Sequence, residues 1–323
     1  MTKIDIISGF LGAGKTTLIQ KLLKEALNGQ KVVLIENEFG EIGIDGGFLK
    51  EAGVQITEMN SGCICCSLVG DFGTALKDVL NTYTPDRVII EPSGVGKLSD
   101  VIKAVEDVAK EIEVELNSYT AVVDASKCKM YMKNFGEFFN NQVEHANTII
   151  LSRTQNMKED KLEASVALLR EHNEKAKIVT TPWDDISGDK ILETMEASKS
   201  LADEMMEEHH HHHHEDGHCC GHDHHHHHHH ADDVFTSWGV ETPHKYEKEK
   251  VEEALKKLAN TEEFGIILRA KGMIAGVDGT WIYFDLVPGE YELREGSPEY
   301  TGRLCVIGTK LEEEKLKELF EIS

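Results

Sequence analysis

The chain lacks a basic surface composition. Its 34 lysines and arginines face 58 aspartates and glutamates over 323 residues, which gives a formal net charge of −24. A protein that holds nucleic acid through phosphate contacts needs clustered positive charge, and no run of lysine or arginine is present. We therefore expect no nucleic-acid partner.

The chain also lacks long hydrophobic runs and an even number of cysteines. No apolar stretch approaches the roughly 20 residues of a membrane-spanning helix, and Met1 leads into an alternating strand pattern rather than a secretory signal. Seven cysteines, an odd number in a chain of this length, do not suit the disulfide framework of a secreted domain. We expect a cytoplasmic protein with no membrane partner.

Histidine is scarce everywhere except in one segment. Of 18 histidines, 15 lie between His209 and His230, and residues 207–233 contain almost no apolar side chains. Such a segment cannot bury enough surface to offset the entropy lost on ordering, so we predict a flexible linker. It separates a first domain at residues 1–206 from a second at residues 234–323, in line with the roughly two domains that the length suggests.

Short apolar segments alternate with helical periods along the first domain. The predicted strands span residues 3–7, 32–35, 87–90, 120–123, 148–151 and 177–180. Helical periods separate most of them, as at residues 15–27, 98–109, 158–172 and about 191–206. This alternation indicates an α/β fold with a parallel sheet flanked by helices. The second domain mixes short strands with two helices, at residues 247–259 and 311–320, and is predicted to be a small α+β unit.

Residues 9–17 read GFLGAGKTT and match the P-loop pattern G-x-x-x-x-G-K-[ST] between the first strand and the first helix. In such a loop the backbone N–H groups surround phosphates, and the helix N-terminus adds positive potential. We predict that Lys15 contacts the β- and γ-phosphates and that Thr16 ligates Mg²⁺. The whole predicted cradle consists of Gly9, Gly12, Ala13, Gly14, Lys15, Thr16 and Thr17.

A neighbouring strand ends in an acid, as a P-loop enzyme requires. The apolar strand at residues 87–90 leads into Glu91, which we expect to hold Mg²⁺ or its water. Three residues later, the backbone N–H of Gly94 is placed to contact a γ-phosphate. The predicted fold class is thus a P-loop NTPase sheet followed by a small α+β domain.

Three of the seven cysteines, Cys63, Cys65 and Cys66, fall within four positions. In a reducing compartment such a cluster favours a metal thiolate site or redox chemistry over structural disulfides. Neighbouring thiols cannot easily fill one tetrahedral shell, so further ligands are expected, and the acidic segment at residues 36–41 offers carboxylates. Cys128 and Cys305 lie in apolar or helical surroundings and are expected in the core.

Together these motifs resemble the CobW family of P-loop GTPases. The resemblance rests on GFLGAGKTT, IENEFGEIGID at residues 35–45, NSGCICCS at residues 60–67 and the Glu-x-x-Gly that begins at Glu91. It continues in the second domain with FTSWG, RAKG and RLCVIG, which begin at Phe235, Arg269 and Arg303. The similarity covers nearly the whole chain outside the histidine-rich linker.

The resemblance implies Mg²⁺-dependent GTP binding with slow hydrolysis to GDP. It also implies that Cys63, Cys65 and Cys66 bind a divalent metal such as Zn²⁺, Co²⁺ or Ni²⁺, with Glu36 and Glu41 as partners, and that the nucleotide state governs metal transfer to an apo-metalloprotein client. Lys15 belongs to the catalytic set, and Glu38, Glu41 or Glu91 positions the attacking water, a choice that the sequence leaves open. The sequence also leaves open which metal is bound, which client receives it and whether the chain forms a homodimer.

One departure concerns the base. Family members usually read guanine with Asn-Lys-x-Asp after a late strand, but the equivalent residues here are Ser152, Arg153, Thr154 and Gln155. A hydrogen bond to a charged group contributes about 1.5–3 kcal/mol, so losing the aspartate would weaken guanine preference roughly 10- to 100-fold. Gln155 still offers a carbonyl oxygen, and Arg153 can stack on a base. GTP is the expected nucleotide.

The histidine tract holds a Cys-Cys pair between two runs of histidine. Its centre offers His218, Cys219, Cys220 and His222 as metal ligands. An expression tag normally lies at a terminus, and this tract is internal and doubled. Imidazoles bind zinc, nickel, cobalt and copper, so a flexible run of them suits metal capture or buffering, with an idle spacer as the alternative.

Three functions are consistent with these residues. The leading hypothesis is a GTP-hydrolysing metallochaperone whose metal affinity changes with the nucleotide. The alternatives are a metal-storage protein with incidental NTPase activity and an ATP-using P-loop kinase or ligase, which Gln155 would suit.

Overall fold

The computed structural model describes residues 1–36, 55–58, 69–197 and 236–322. The chain divides into two compact units, Met1–Ala197 and Ser198–Ser323. The predicted histidine-rich linker and the predicted domain end at residue 206 lie outside the described residues, so these boundaries stay predictions.

Within the described residues, the first unit contains a parallel sheet of seven strands. In chain order they are β1 (Thr2–Gly9), β2 (Val32–Glu36), β3 (Gln55–Glu58), β4 (Arg87–Glu91), β5 (Val114–Asp124), β6 (Thr148–Ser152) and β7 (Lys177–Val179). Their spatial order is β3-β2-β4-β1-β5-β6-β7. All of β2, β4 and β6 is buried, as expected for strands covered by helices on both faces. The predicted α/β sheet is confirmed.

Helices connect these strands. They are α1 (Lys15–Glu25), α2 (Val69–Tyr83), α3 (Leu98–Ala109), α4 (Cys128–His145), α5 (Glu159–His172) and α6 (Gly188–Glu196). The prediction for α3 is confirmed at both ends, whereas α1 ends two residues earlier than predicted. The helix predicted from about residue 191 begins at Gly188, because the Ser187 side chain caps it by accepting a hydrogen bond from the Lys190 N–H.

The second unit is a mainly antiparallel sheet. Its described strands are β8 (Thr236–Thr242), β9 (Lys245–Tyr246), β10 (Ile266–Gly276), β11 (Trp281–Val287), β12 (Glu290–Gly296) and β13 (Gly302–Thr309). Their spatial order is β12-β11-β10-β13-β8, with the short β9 parallel to β10. Two helices, α7 (Lys248–Asn260) and α8 (Glu313–Leu319), share a core with the sheet in which Leu255, Phe284 and Leu316 are buried. The predicted α+β unit is confirmed.

No helix in the described part of the chain is both long and apolar enough to cross a bilayer.

Candidate nucleotide-binding site

A cavity of about 440 Å³ opens where the P-loop meets the carboxyl ends of β4 and β6. Ligands of open α/β sheets bind at this edge, and the volume lies within the usual range for small-molecule sites. The lining consists of Leu11, Gly12, Gly14, Lys15, Thr16, Thr17, Glu91, Pro92, Ser93, Gly94 and Arg153. The fold thus brings together residues from three segments that the sequence analysis proposed separately.

The beginning of the P-loop requires glycine for a steric reason. Gly9 has a φ of +151°, and a Cβ there would lie 2.4 Å from the carbonyl oxygen of Val122 on β5. Phe10, the next residue, is buried against α4, with its ring centroid 4.7 Å from that of Tyr131. The first two residues of the P-loop are therefore fixed, Gly9 against β5 and Phe10 against α4.

Oxygen atoms suited to a magnesium ion converge beside Lys15. The Thr16 hydroxyl donates to Glu91 Oε1 over 3.3 Å, and Lys15 Nζ lies 3.9 Å from the same oxygen. Glu91 is buried, and Glu36 is its register neighbour at the end of β2. A hydroxyl and carboxylates are hard donors of the kind that Mg²⁺ prefers, so the donor set fits that ion.

Arg153 ties the loop after β6 to the P-loop. Its φ is +62°, its Nε lies 3.0 Å from Oδ2 of Asp124, and its guanidinium donates to the Gly12 carbonyl over 3.2 Å. The sequence analysis missed Asp124, which is 1% exposed at the end of β5. The signal that could have found it is the one used for Glu91, an apolar strand ending in an acid.

Trp183 is a second residue that the sequence analysis missed. Its indole N–H donates to the Leu151 carbonyl over 2.9 Å, and its ring lies 3.3 Å from the position that a Cβ on Gly14 would take. Ser152 is buried close by, with its Cβ 3.8 Å from the same position on Gly14. Trp183 therefore packs beside the turn that begins α1.

The remaining predicted residues divide into two groups. Gln155 is exposed in a short 3₁₀ helix (Thr154–Asn156), while Ala13 is buried, and neither lines the cavity. Gly9 and Ser152 do not line it either. Those that lie outside the described residues are Glu38, Glu41, Cys63, Cys65, Cys66, His218, Cys219, Cys220 and His222.

The two cysteines that the structure describes, Cys128 and Cys305, are buried. Burial raises the pKa of the Cys128 thiol to about 12, so this group stays protonated and is a poor metal ligand at neutral pH. The expectation that these two cysteines lie in the core is confirmed.

Residues 3–180 match the family model of the CobW/HypB/UreG nucleotide-binding domain. The chain belongs to the CobW/HypB/UreG family. Residues 235–322 match the C-terminal domain of the cobalamin synthesis protein CobW, so both units have counterparts in CobW-type proteins.

Curated relatives of this CobW-family chain include three zinc chaperones. YjiA of Escherichia coli (strain K12) is 33% identical over 192 residues, 57% of this chain and 58% of the relative. YeiR of the same strain is 32% identical over 154 residues, 48% and 47% of the two chains. CobW of Sinorhizobium sp. is 40% identical over 128 residues, 38% and 36% of the two. The matches thus span between about a third and three fifths of these relatives.

A solved structure, the Zn(II)-bound YjiA GTPase from E. coli, aligns with 99% of this chain and 98% of its own, at 22% identity and a TM-score of 0.42. The family assignment rests on the two sequence models.

Proposed function

We propose that this protein is a Mg²⁺-dependent GTPase that binds a divalent transition metal and delivers it to an apo-metalloprotein client. The observation that carries the nucleotide part is the cavity in which Lys15, Thr16 and Glu91 face one another beside the P-loop backbone. The metal part draws support from relatives whose names describe zinc chaperones and zinc-regulated GTPases.

Each nucleotide-binding residue has a role in this proposal. The backbone from Gly9 to Thr17 surrounds the phosphates, with the Lys15 ammonium on the β- and γ-phosphates. Thr16 and Glu91 hold Mg²⁺, which when bound neutralises charge on the phosphate oxygens. The water that attacks is positioned by Glu38, Glu41 or Glu91.

The base-binding part of the proposal rests on Arg153. Its position across Gly12 places the side chain at the cavity wall, where its plane can stack on a purine. Ser152 and Gln155 belong to the same loop, and Gln155 supplies a neutral amide instead of a carboxylate. We expect GTP to bind more tightly than ATP, by a smaller margin than an aspartate would give. Equal affinities together with phosphoryl transfer to a small molecule would favour the kinase or ligase alternative.

The transported metal is held by Cys63, Cys65 and Cys66 in this proposal, with Glu36 and Glu41 as additional ligands. Glu36 supports a coupling between the two sites, because it is buried at the end of β2 and is the register neighbour of Glu91. Because Glu36 lies so close to the nucleotide site, a metal site that includes it can have a different affinity for metal in the GDP and GTP states. The tract around His218, Cys219, Cys220 and His222 collects metal for that site.

The test is a calorimetric titration of Zn²⁺, Co²⁺ and Ni²⁺ into the full chain with GDP or a non-hydrolysable GTP analogue bound. We expect metal affinity at the tight site to differ between the two states and to fall in Cys65→Ala. Cys128→Ala is the matched control, since it removes a thiol of the described core. Equal affinities in both states would exclude the coupling, and high metal stoichiometry without nucleotide-stimulated transfer would favour the storage alternative.

A further inference from the structure

A buried glutamine on α4 binds the loop that follows Glu91. Gln142 is 2% exposed, and its Nε2 donates to the Gly94 carbonyl over 3.2 Å and to the Gly96 carbonyl over 2.9 Å. Both hydrogens of one amide group are thus used on two peptides of the same short loop. A buried amide with this geometry holds the loop in one conformation, because releasing either carbonyl would leave a polar group without its partner.

The loop held by Gln142 lies directly against the P-loop. A Cβ on Gly94 would lie 2.9 Å from the backbone nitrogen of Leu11 and 2.8 Å from its Cδ2, so the two backbones approach closely. Both residues line the cavity. With glycine at positions 94 and 96 the free loop has wide conformational freedom, and the two hydrogen bonds from Gln142 remove much of it.

The same half of α4 also makes two contacts beyond this loop, with the residues that begin α3. The Asn141 side chain accepts from the Ser99 N–H over 3.3 Å, and Lys97 forms an ion pair with Glu137 over 2.9 Å. The N-terminal half of α4 packs on the P-loop instead, through the contact between Phe10 and Tyr131. One helix therefore holds both backbone segments that would flank a γ-phosphate.

We propose that Gln142 is a positioning residue for γ-phosphate recognition. It orients the peptides after Gly94 and Gly96, and so keeps the Gly94 backbone where it meets the terminal phosphate of GTP. GDP has no phosphate at that position, so Gln142 affects the two nucleotides unequally. This inference rests on the proposed GTP-binding function.

The test compares nucleotide affinities of Gln142→Met with those of the wild type. Methionine has a similar length and no donor. We expect affinity for a non-hydrolysable GTP analogue to fall about tenfold and affinity for GDP to change less than about threefold. The tenfold loss corresponds to the net free energy that about one to two hydrogen bonds contribute to holding the loop. The single-turnover hydrolysis rate should fall as well. If Gln142 had a merely structural role, the substitution would weaken the binding of both nucleotides equally. The ratio of GTP-analogue to GDP affinity would then stay unchanged, and that result would overturn the inference.

Asn141→Ala is the matched control, because Asn141 binds the start of α3 and does not line the cavity. It should leave the ratio of GTP-analogue to GDP affinity unchanged. If Gln142→Met does not fold, Gln142→Asn replaces it, since the shorter amide cannot reach both carbonyls, and the same ratio decides. Wild-type protein that binds neither nucleotide contradicts the proposed function, and the inference with it. Normal wild-type binding with an unaltered ratio in the variant contradicts the inference alone.

Discussion

Arg153 connects the ends of β5 and β6 to the P-loop through one side chain. A non-glycine residue in the left-handed region costs about 1–3 kcal/mol, and here the conformation turns the chain out of β6 into the 3₁₀ helix. The guanidinium also forms an ion pair with the buried Asp124 carboxylate over 3.0 Å, and this attraction opposes that cost. Arg153 is therefore held in place before any nucleotide arrives.

At the residue scale, we predict that Arg153→Ala weakens the binding of GDP and of a GTP analogue alike, by about tenfold each. The guanidinium donates to the Gly12 carbonyl, and in the proposed role the side chain stacks on the base, which GDP and GTP share. Calorimetric titration measures both affinities. The exposed Lys129→Ala on α4 removes the same charge elsewhere and should have no effect. A change confined to the GTP analogue would contradict this role.

At the scale of elements, α4 shows how tertiary contacts override a sequence pattern. The helix is interrupted at Phe135, whose φ of −135° and ψ of 30° are not helical. Phe135 is 46% exposed, whereas the polar Gln142 is buried. The sequence of α4 therefore departs from the apolar periodicity that is typical of a helix with one buried face. The sequence analysis consequently did not single out α4, and it could not connect Gln142 to the nucleotide site.

Strand β5 illustrates the same limit. Only residues 120–123 read as an apolar strand, yet β5 begins at Val114, because Ser118 is fully buried and donates to Asp5 over 2.6 Å. Patterns local in sequence predicted the P-loop, Glu91 and most strands, since each depends on residues close together in the chain. Trp183 and Ser118 act through partners far along the chain, which a local pattern does not reveal.

Helix α6 is fastened to the sheet by its last residue, and this contact predicts a pH dependence. Glu196 accepts hydrogen bonds from Arg87, Lys3 and Asn117. Burial alone would raise the pKa of Glu196, but the bonds from Arg87 and the other donors outweigh it, so the pKa lies below the ordinary 4.5. Because the folded pKa is depressed, the carboxylate stabilises the fold above pH 4.5, and the stabilisation is lost as the pH falls through the lowered value.

We therefore expect Glu196→Gln to lower the free energy of unfolding by about 1 kcal/mol at neutral pH. The difference from the wild type should begin to shrink below pH 4.5, where the carboxylate of the unfolded chain takes up its proton, and it should be lost as the pH falls through the lowered pKa of the folded state. Urea unfolding at a series of pH values measures it. Glu193→Gln, a more exposed change on the same helix, is the control, and a difference independent of pH would contradict the assignment.

At the scale of the whole molecule, each compact unit encloses its own hydrophobic core. The first core surrounds the parallel sheet with residues such as Ile4 and Val88, and the second packs α7 and α8 on the antiparallel sheet. The proposed nucleotide chemistry belongs to the first unit alone. Stability and nucleotide binding should therefore respond separately to changes in the two cores.

Leu255→Ala tests this separation. Leu255 is fully buried in the core of the second unit, so its truncation should lower the stability of that unit by about 2–5 kcal/mol. GDP affinity should stay within about twofold of the wild type. The corresponding change in binding free energy is well below the roughly 1.4 kcal/mol that a tenfold change in affinity represents. Calorimetry of unfolding with and without GDP gives both quantities. Leu22→Ala in the first unit is the counterpart, and it should reduce GDP affinity and stability together.

Strand β12 has a consequence for how the protein behaves at high concentration. It is the outer strand of the second sheet, and Glu290, Glu292, Arg294 and Glu295 are exposed along its seven residues. An outer strand offers backbone groups to which another chain can add, and closely spaced charges oppose that addition by repulsion and by their need for water. The charges exposed along β12 thus serve as protection against edge-to-edge aggregation.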